Sequence, residues 1–392
     1  MPLACADMPQ PTDVRQFFAD DMYGDPPGSA IGVALSWELL EEGPSADGGL
    51  RRQIRLDLTA PTGPPTRITL LVHLPESAAS DQPVPAFLGM NFRGNHACTT
   101  DPAVHDLTDP DPSWGDRLGG SLARDGSDEP AERGAHAHRF DFTAITERGY
   151  ASITWCYRQL GPDTPEVFGT GPHRTLGGSP YESRRGDEWG AIGIWAWTMS
   201  RVLDALEDGM VPEIDSERII AHGHSRLGKT ALWSAACEPR WAAVISNDSG
   251  CTGAASSRPV GETPQLLAEV RPYWYTPRFQ QTAAEWQRIH HGAPRQIPDQ
   301  ADLIALTAPR PLYVASASED PGADPEGEFL SWQAASAAWD GGTAATAGTF
   351  PAPGTVLQPE SAPLGYHLRD GKHDVMPFDW AAWLDFADRW VR

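Results

Sequence analysis

The stretch Glu217-Arg218-Ile219-Ile220-Ala221-His222-Gly223-His224-Ser225-Arg226-Leu227-Gly228-Lys229-Thr230-Ala231-Leu232-Trp233 constrains this chain most. Ile219 to His222 has the composition of a short buried strand. Gly223 and Gly228 bracket a tight turn, and Lys229 to Ala236 reads as a helix. A serine held between strand and helix among small residues carries its hydroxyl clear of the sheet, and the helix N-terminus offers N–H groups to a developing oxyanion. The spacing departs from G-x-S-x-G, since two residues separate Ser225 from Gly228. The competing reading is an ordinary strand–Gly–helix junction whose serine caps the helix.

The 392 residues suffice for one large α/β domain with insertions or for two ordinary domains. No linker or internal repeat divides them, so the expectation is a single domain over 1–392 with an N-terminal extension (about 1–50) and a loop insertion (about 93–137). Apolar residues make up 40% and include 15 Trp, enough for a large core. No run approaches the length of a membrane span. The chain starts without a basic region followed by an apolar one, which implies a cytoplasmic protein or a secreted one whose leader has been removed. The 30 basic against 53 acidic residues give a net charge of −23, which argues against nucleic acid and anionic membranes as partners. An anionic substrate stays possible, because a local Arg/Lys pair outweighs distant acids at short range. The five cysteines are scattered, with no C-x-x-C, and free buried thiols are the expectation.

In chain order, Val14 to Gly24 reads as a short helix. Arg52–Thr59 and Thr66–Leu74 alternate in polarity and predict an antiparallel hairpin at a sheet edge. Strands are predicted over Val84–Phe92, Ala151–Tyr157, Ala242–Asn247 and Arg310–Ala317. Helices are predicted over His138–Glu147, Glu188–Glu207, Glu328–Trp339 and Phe378–Trp390. The tryptophans of Glu188–Glu207 read as core. Strands alternating with helices, after an early hairpin, predict a mostly parallel sheet with helices on both faces and an antiparallel N-terminal edge.

A serine nucleophile requires a base and a carboxylate that fixes the base's tautomer. In a parallel sheet these belong just beyond the carboxyl ends of strands. His373 follows a loop and precedes the last helix, the chain order of an α/β hydrolase. His367 is the nearest competitor, but its setting reads as strand. His290-His291 and the His136/His138 pair read as surface or loop residues, and no metal site is expected. Asp248 and Asp320 both lie at strand carboxyl ends, and the sequence leaves the choice between them open. Arg226, directly after Ser225, is placed to reinforce an oxyanion. Lys229, one helical turn on, projects to nearly the same side. This cationic pair favours a polar or anionic substrate over a lipid.

The chain resembles the glucuronoyl esterases, carbohydrate esterase family 15, in their bacterial form. The resemblance runs from about Val14 to the C-terminus. It is carried by Trp189-Gly190-Ala191-Ile192-Gly193, Gly223-His224-Ser225-Arg226-Leu227-Gly228-Lys229, Asn247-Asp248-Ser249-Gly250-Cys251, Ala308-Pro309-Arg310-Pro311-Leu312-Tyr313-Val314-Ala315 and Gly371-Lys372-His373-Asp374. It implies an α/β-hydrolase fold and cofactor-free cleavage of the ester between (4-O-methyl)-glucuronate on xylan and a lignin alcohol, through a covalent acyl-enzyme. By this resemblance Ser225 is the nucleophile, His373 the base, Arg226 the oxyanion donor, and Lys229 with Glu262 hold uronate hydroxyls. The acid falls at Asp248 or Asp320. Two departures stand out: Gly322 where bacterial members usually carry Trp, and Ala301 where His is common. Trp274 is the candidate to supply the missing ring, with core packing as its alternative. The expected partner is a glucuronate ester or glucuronoxylan fragment. The competing functions are another carbohydrate esterase of the same fold, such as an acetyl xylan esterase, a peptidase, or a weakly catalytic carbohydrate-binding relative.

Overall fold

The computed structural model describes residues 11–27, 32–61, 63–106 and 131–392. Much of the expected insertion, and the start of the N-terminal extension with Cys5, lie outside them. Ten strands form one sheet in the order β1-β2-β3-β5-β4-β6-β7-β8-β10-β9. They span Ala34–Pro44, Leu50–Thr59, Thr66–Leu74, Val84–Asn91, Ala151–Cys156, Ile214–His224, Ala243–Asn247, Leu312–Ala317, Thr355–Leu357 and Leu364–Arg369, numbered β1 to β10 in that order. The run β5-β4-β6-β7-β8-β10 is parallel throughout. The first three strands and β9 pair antiparallel. This is the α/β architecture expected, with an antiparallel N-terminal edge.

The sheet is buried on both faces, which explains why its central strands are continuously apolar. Alternate residues serve opposite cores. Ile219, Ala221, Val244, Leu312 and Val314 face one side, covered by the Ala191–Glu207 and Arg226–Cys237 helices among others. Ile220, Ile245, Tyr313 and Ala315 face the other, where the Pro377–Trp390 helix supplies Trp380, Trp383 and Phe386. Trp195 and Trp197 are buried in the core, as their helical spacing implied.

The hairpin read from the sequence is not the sheet edge, because β1 pairs outside it. That strand has no alternating apolar face: it carries Glu38, Glu41 and Glu42 and ends at Pro44. It is held by backbone pairing and by charge pairs to β2, namely Glu41–Arg51 at 2.5 Å, Glu42–Arg52 at 2.6 Å and Glu38–Arg55 at 3.0 Å. The short β9 is not among the strands expected from the sequence, while predicted strand β6 extends five residues further toward the N-terminus than Ile219. The cysteines at 98, 156, 237 and 251 are unpaired, the first, second and fourth of them buried.

Candidate active site

The parallel strands deliver their carboxyl ends to one rim. Phe92 and Arg93 follow β4, Tyr157 and Arg158 follow β5, and Ser225 follows β6. Asp248 follows β7, Asp320 lies three residues past β8, and His373 four past β10. The direction of the strand order reverses at β4, the position where a crevice opens in sheets of this kind.

Ser225 sits at φ 57° and ψ −129° between β6 and the Arg226–Cys237 helix. A non-glycine residue is rarely held there, and such strain concentrates at functional positions. The turn is tight enough that a Cβ on Gly223 would collide with the carbonyl of Leu227. Ser225 N–H remains tied to the sheet by a 2.9 Å bond to the Asn247 carbonyl, so the strain is borne by a well-anchored residue. The first N–H groups of a helix have no intrahelical acceptor. That of Arg226 is thereby available to an oxyanion.

Ser225 and His373 line the same cleft, of about 240 Å³. The His373 ring lies 4.3 Å from that of His224, the neighbour of Ser225 in the chain. His373 Nδ1 meets Asp320 Oδ2 at 2.6 Å. A carboxylate on Nδ1 fixes the tautomer in which Nε2 accepts a proton. The imidazole is 42% exposed and Asp320 nearly buried, so the acid is rigid while the base faces the cleft.

Asp248 stands close by, but it meets other groups. Its carboxyl is buried, at 3.9 Å from His224 Nδ1 and 3.8 Å from the Arg369 guanidinium. Burial pushes its pKa well up, and Glu328, Asp320 and Asp379 add to the push. Of the two acids left open by the sequence, Asp320 is the one in contact with His373. Asp248, Asp320 and His373 could also be read as three metal ligands, since their donor atoms lie within 4.8 Å of one another. The 2.6 Å bond makes two of them hydrogen-bond partners instead, with the proton between them where a shared cation would sit.

Arg226 is fixed by Asp163, whose Oδ2 accepts from it and from the Tyr157 hydroxyl at 3.0 Å. Burial works against the guanidinium's charge, but Asp163 and the phenols Tyr157 and Tyr273 outweigh it, so Arg226 is held more firmly charged than usual. Trp274 is buried beneath it, with the guanidinium 4.9 Å above its ring and its indole N–H donating to Asp163 Oδ1 at 2.7 Å. This corrects the expectation that Trp274 meets substrate: the ring is a floor for Arg226 and is closed to a sugar.

Lys229 is 2% exposed and donates to the carbonyls of Ser249 at 2.5 Å and Cys251 at 2.6 Å. Its pKa is lowered by burial, against the pull of Glu262 at 3.9 Å. Glu262 is half-exposed and bonds through its N–H to the carbonyl of Gly322 at 2.9 Å. The position lacking a tryptophan therefore adjoins Glu262. A Cβ on Gly322 would meet only Asp320 Oδ1, at 3.5 Å, so the space beside it is open.

A family model described as glucuronyl esterase, fungi, matches residues 139–341. A carbohydrate esterase named MZ0003, from an unknown prokaryotic organism, is 34% identical over 389 residues, covering 96% of this chain and 83% of that one. The chain belongs to the glucuronoyl esterase family. Among solved structures, a promiscuous CE15 esterase from a marine bacterial metagenome aligns with a TM-score of 0.78 at 32% identity, over 97% of this chain and 91% of that one. The glucuronoyl esterase of Solibacter usitatus gives 0.79 at 30% identity with the same coverage. As a member of this family the protein is a carboxylic ester hydrolase with the α/β-hydrolase fold.

Several residues of the glucuronoyl esterase site went unread in the sequence. His136, expected on the surface or in a loop, lines the Ser225 cleft, and Arg139 lines it too. His138 instead faces Asp374 at 3.1 Å. Asp163 lies in a Gly-rich stretch without periodicity, and nothing local marks it. Glu328 is fully buried and joins Ser316, Ser249 and the Gly250 N–H. Burial lifts its pKa to about 7, against those hydrogen bonds. His290 and His291 end the Phe279–His290 helix, and His367 lies on β10, bonded to Asp379 at 2.7 Å.

Proposed function

We propose that this chain hydrolyses the ester formed by the carboxyl of a glucuronate residue, (4-O-methyl)-glucuronate on xylan being the form the family resemblance suggests, and an alcohol. Ser225 attacks the C6 carbonyl while His373 takes its proton, and Asp320 stabilises the imidazolium. Arg226 and its backbone N–H receive the charge on the tetrahedral oxygen, a donor of the kind whose loss raises a barrier by about 3–4 kcal/mol. The alcohol leaves with the proton from His373. Water, deprotonated by the same imidazole, then cleaves the glucuronoyl-Ser225 ester and regenerates the hydroxyl.

The observation that carries this reading is the Asp320–His373 pair opening onto the cleft of a strained serine that begins a helix. The relatives support the substrate. The 4-O-methyl-glucuronoyl methylesterase 1 of Sodiomyces alcalophilus is 33% identical over 157 residues, 38% of this chain and 29% of that one. Glu262, exposed on the Gly322 side, is the residue assigned to a ring hydroxyl. Lys229 acts there by charge and by shaping the Ser249–Cys251 loop. The nearest competing reading is an acetyl xylan esterase of the same fold. Hydrolysis of the benzyl ester of glucuronate is expected, and hydrolysis of acetylated xylose faster than of that ester would displace this assignment.

A further inference from the structure

A cavity of about 720 Å³ lies apart from the Ser225 cleft and shares no lining residue with it. Its volume falls in the range of about 300–1,000 Å³ typical of small-ligand sites. Two helices form its walls. Gln265, Ala268 and Glu269 recur at three- and four-residue spacing and so share one face of the Pro264–Val270 helix. Gln280, Ala283 and Gln287 do the same on the Phe279–His290 helix. Tyr181, Glu182 and Arg184 complete the enclosure.

The lining selects the chemistry of a ligand. Thr276 lines the cavity and is 2% exposed, and its Oγ1 has no hydrogen-bond partner among the described residues. Buried hydroxyls ordinarily have a partner, and a ligand in the cavity would supply one. An apolar ligand would leave that hydroxyl, and the amides it covered, unsatisfied. An anion would face Glu182 and Glu269. A cation would face the Arg184 guanidinium, which is held by the carbonyls of Tyr275 at 2.9 Å and Trp189 at 3.2 Å. A neutral ligand with many hydroxyls fits, since each hydroxyl donates and accepts, Gln does both and Glu accepts. Gln265 Nε2 already donates to the Ala283 carbonyl at 2.5 Å, which leaves its Oε1 as an acceptor. Tyr181 adds an aromatic ring, fixed by the Arg184 guanidinium 4.9 Å over its centre and by Phe168 at 5.6 Å. A ring surface with polar groups around it complements a pyranose, which carries C–H bonds on its faces and hydroxyls at its edge.

The chain connects this cavity to the reaction site. Glu262, assigned to a ring hydroxyl of the uronate, stands two residues before the Pro264–Val270 helix. Pro272 lines the cavity, and Trp274, two residues on, lies beneath Arg226. The segment 262–274 therefore borders both. We infer that the cavity between these two helices binds the neutral sugar chain that carries the glucuronate, the xylan main chain in the reaction proposed above. The inference rests on that reading for the identity of the polymer and gives the polymer a second point of attachment. Holding the chain there raises affinity for a polymeric substrate without any contact to the ester.

The test uses the full chain with xylohexaose, with a glucuronoxylan fragment esterified at its glucuronate, and with the benzyl ester of glucuronate. Xylohexaose is expected to bind saturably in calorimetry. Ala284→Trp, at an exposed helix position of the lining, should block the cavity and abolish that binding. Gln280→Ala removes one neutral hydrogen bond and should weaken it about fivefold. Both variants should raise KM on the fragment, while kcat/KM on the benzyl ester stays within about twofold of the parent and shows that the reaction site is folded. No binding of xylohexaose by the parent, or binding that Ala284→Trp leaves intact, overturns the sugar site alone when the benzyl ester is still hydrolysed. If that ester is not hydrolysed but xylohexaose binds the parent and not Ala284→Trp, the reaction reading falls and the sugar site stands.

Discussion

Nδ1 of His373 lies 2.6 Å from Oδ2 of Asp320, across 53 positions of chain, while Asp248 approaches the neighbouring His224 instead. Removing the tautomer-fixing acid of such a dyad lowers kcat by about 10⁴. Asp320→Asn is expected to lose about three to four orders of magnitude in kcat on a glucuronate ester. Asp248→Asn should stay within about tenfold of the parent, because its carboxyl is already held toward the neutral form by burial. Steady-state kinetics on both variants decides, and the reverse ranking would hand the role to Asp248.

Asp163 holds Arg226 and Trp274 at once. Asp163→Ala frees the guanidinium from its position over the indole and leaves the Tyr157 hydroxyl and the Trp274 indole N–H without their carboxylate acceptor. Losing one oxyanion donor costs about 10²–10³ in kcat. A freed but present arginine should cost less, about 10–100-fold in kcat with a smaller change in KM. An unchanged kcat would show that the backbone N–H of Arg226 acts without its side chain.

Glu328 gives a pH dependence whose sign follows from burial. Its pKa rises from 4.5 unfolded to about 7 in the folded protein, so the folded state holds the proton more tightly. Its contribution is most favourable below about pH 4.5 and is lost as pH rises through about 7. The buried His222, pushed down to about 4, acts in the opposite sense. The comparison must therefore be with Glu328→Gln, which removes one titration and leaves the other. Melting temperature as a function of pH should show Glu328→Gln gaining on the parent from pH 4.5 to 7. Parallel curves would contradict the assignment.

Arg51 meets Asp101 and Glu41, both at 2.5 Å, with its own side chain and that of Asp101 almost fully buried. Deleting one member of a buried pair leaves the other charged without compensation, at a cost of about 3–5 kcal/mol. Arg51→Ala should destabilise the protein by that order in urea, and Arg51→Ala with Asp101→Ala by less. A double-variant loss equal to the sum of the Arg51→Ala and Asp101→Ala losses would mean that the pair is not coupled.

Much of this site was legible because strand ends and a helix start have local signatures. Ser225, Arg226, Asp320 and His373 each sit beside a strand that its own composition reveals, and a parallel sheet gathers such ends on one rim. The choice between Asp248 and Asp320 was not legible. Both follow buried strands, and only the path of the His373 loop decides which carboxyl reaches Nδ1. Trp274 was not legible as a support for Arg226, because its place came from the ring the family carries elsewhere and not from what lies over it. Asp163 accepts from the Trp274 indole N–H, and the Arg226 guanidinium lies over the ring. Strand β1 was invisible because its stability lies in partners on β2 and not in its own pattern.

The most direct test of the whole account is covalent labelling with a serine-directed phosphonate, followed by peptide mass spectrometry and by assay of a glucuronate benzyl ester. Labelling is expected at Ser225 alone, in step with loss of hydrolysis, and neither labelling nor hydrolysis is expected in Ser225→Ala. Full hydrolysis by Ser225→Ala, or inactivation by a label at another residue, would contradict it.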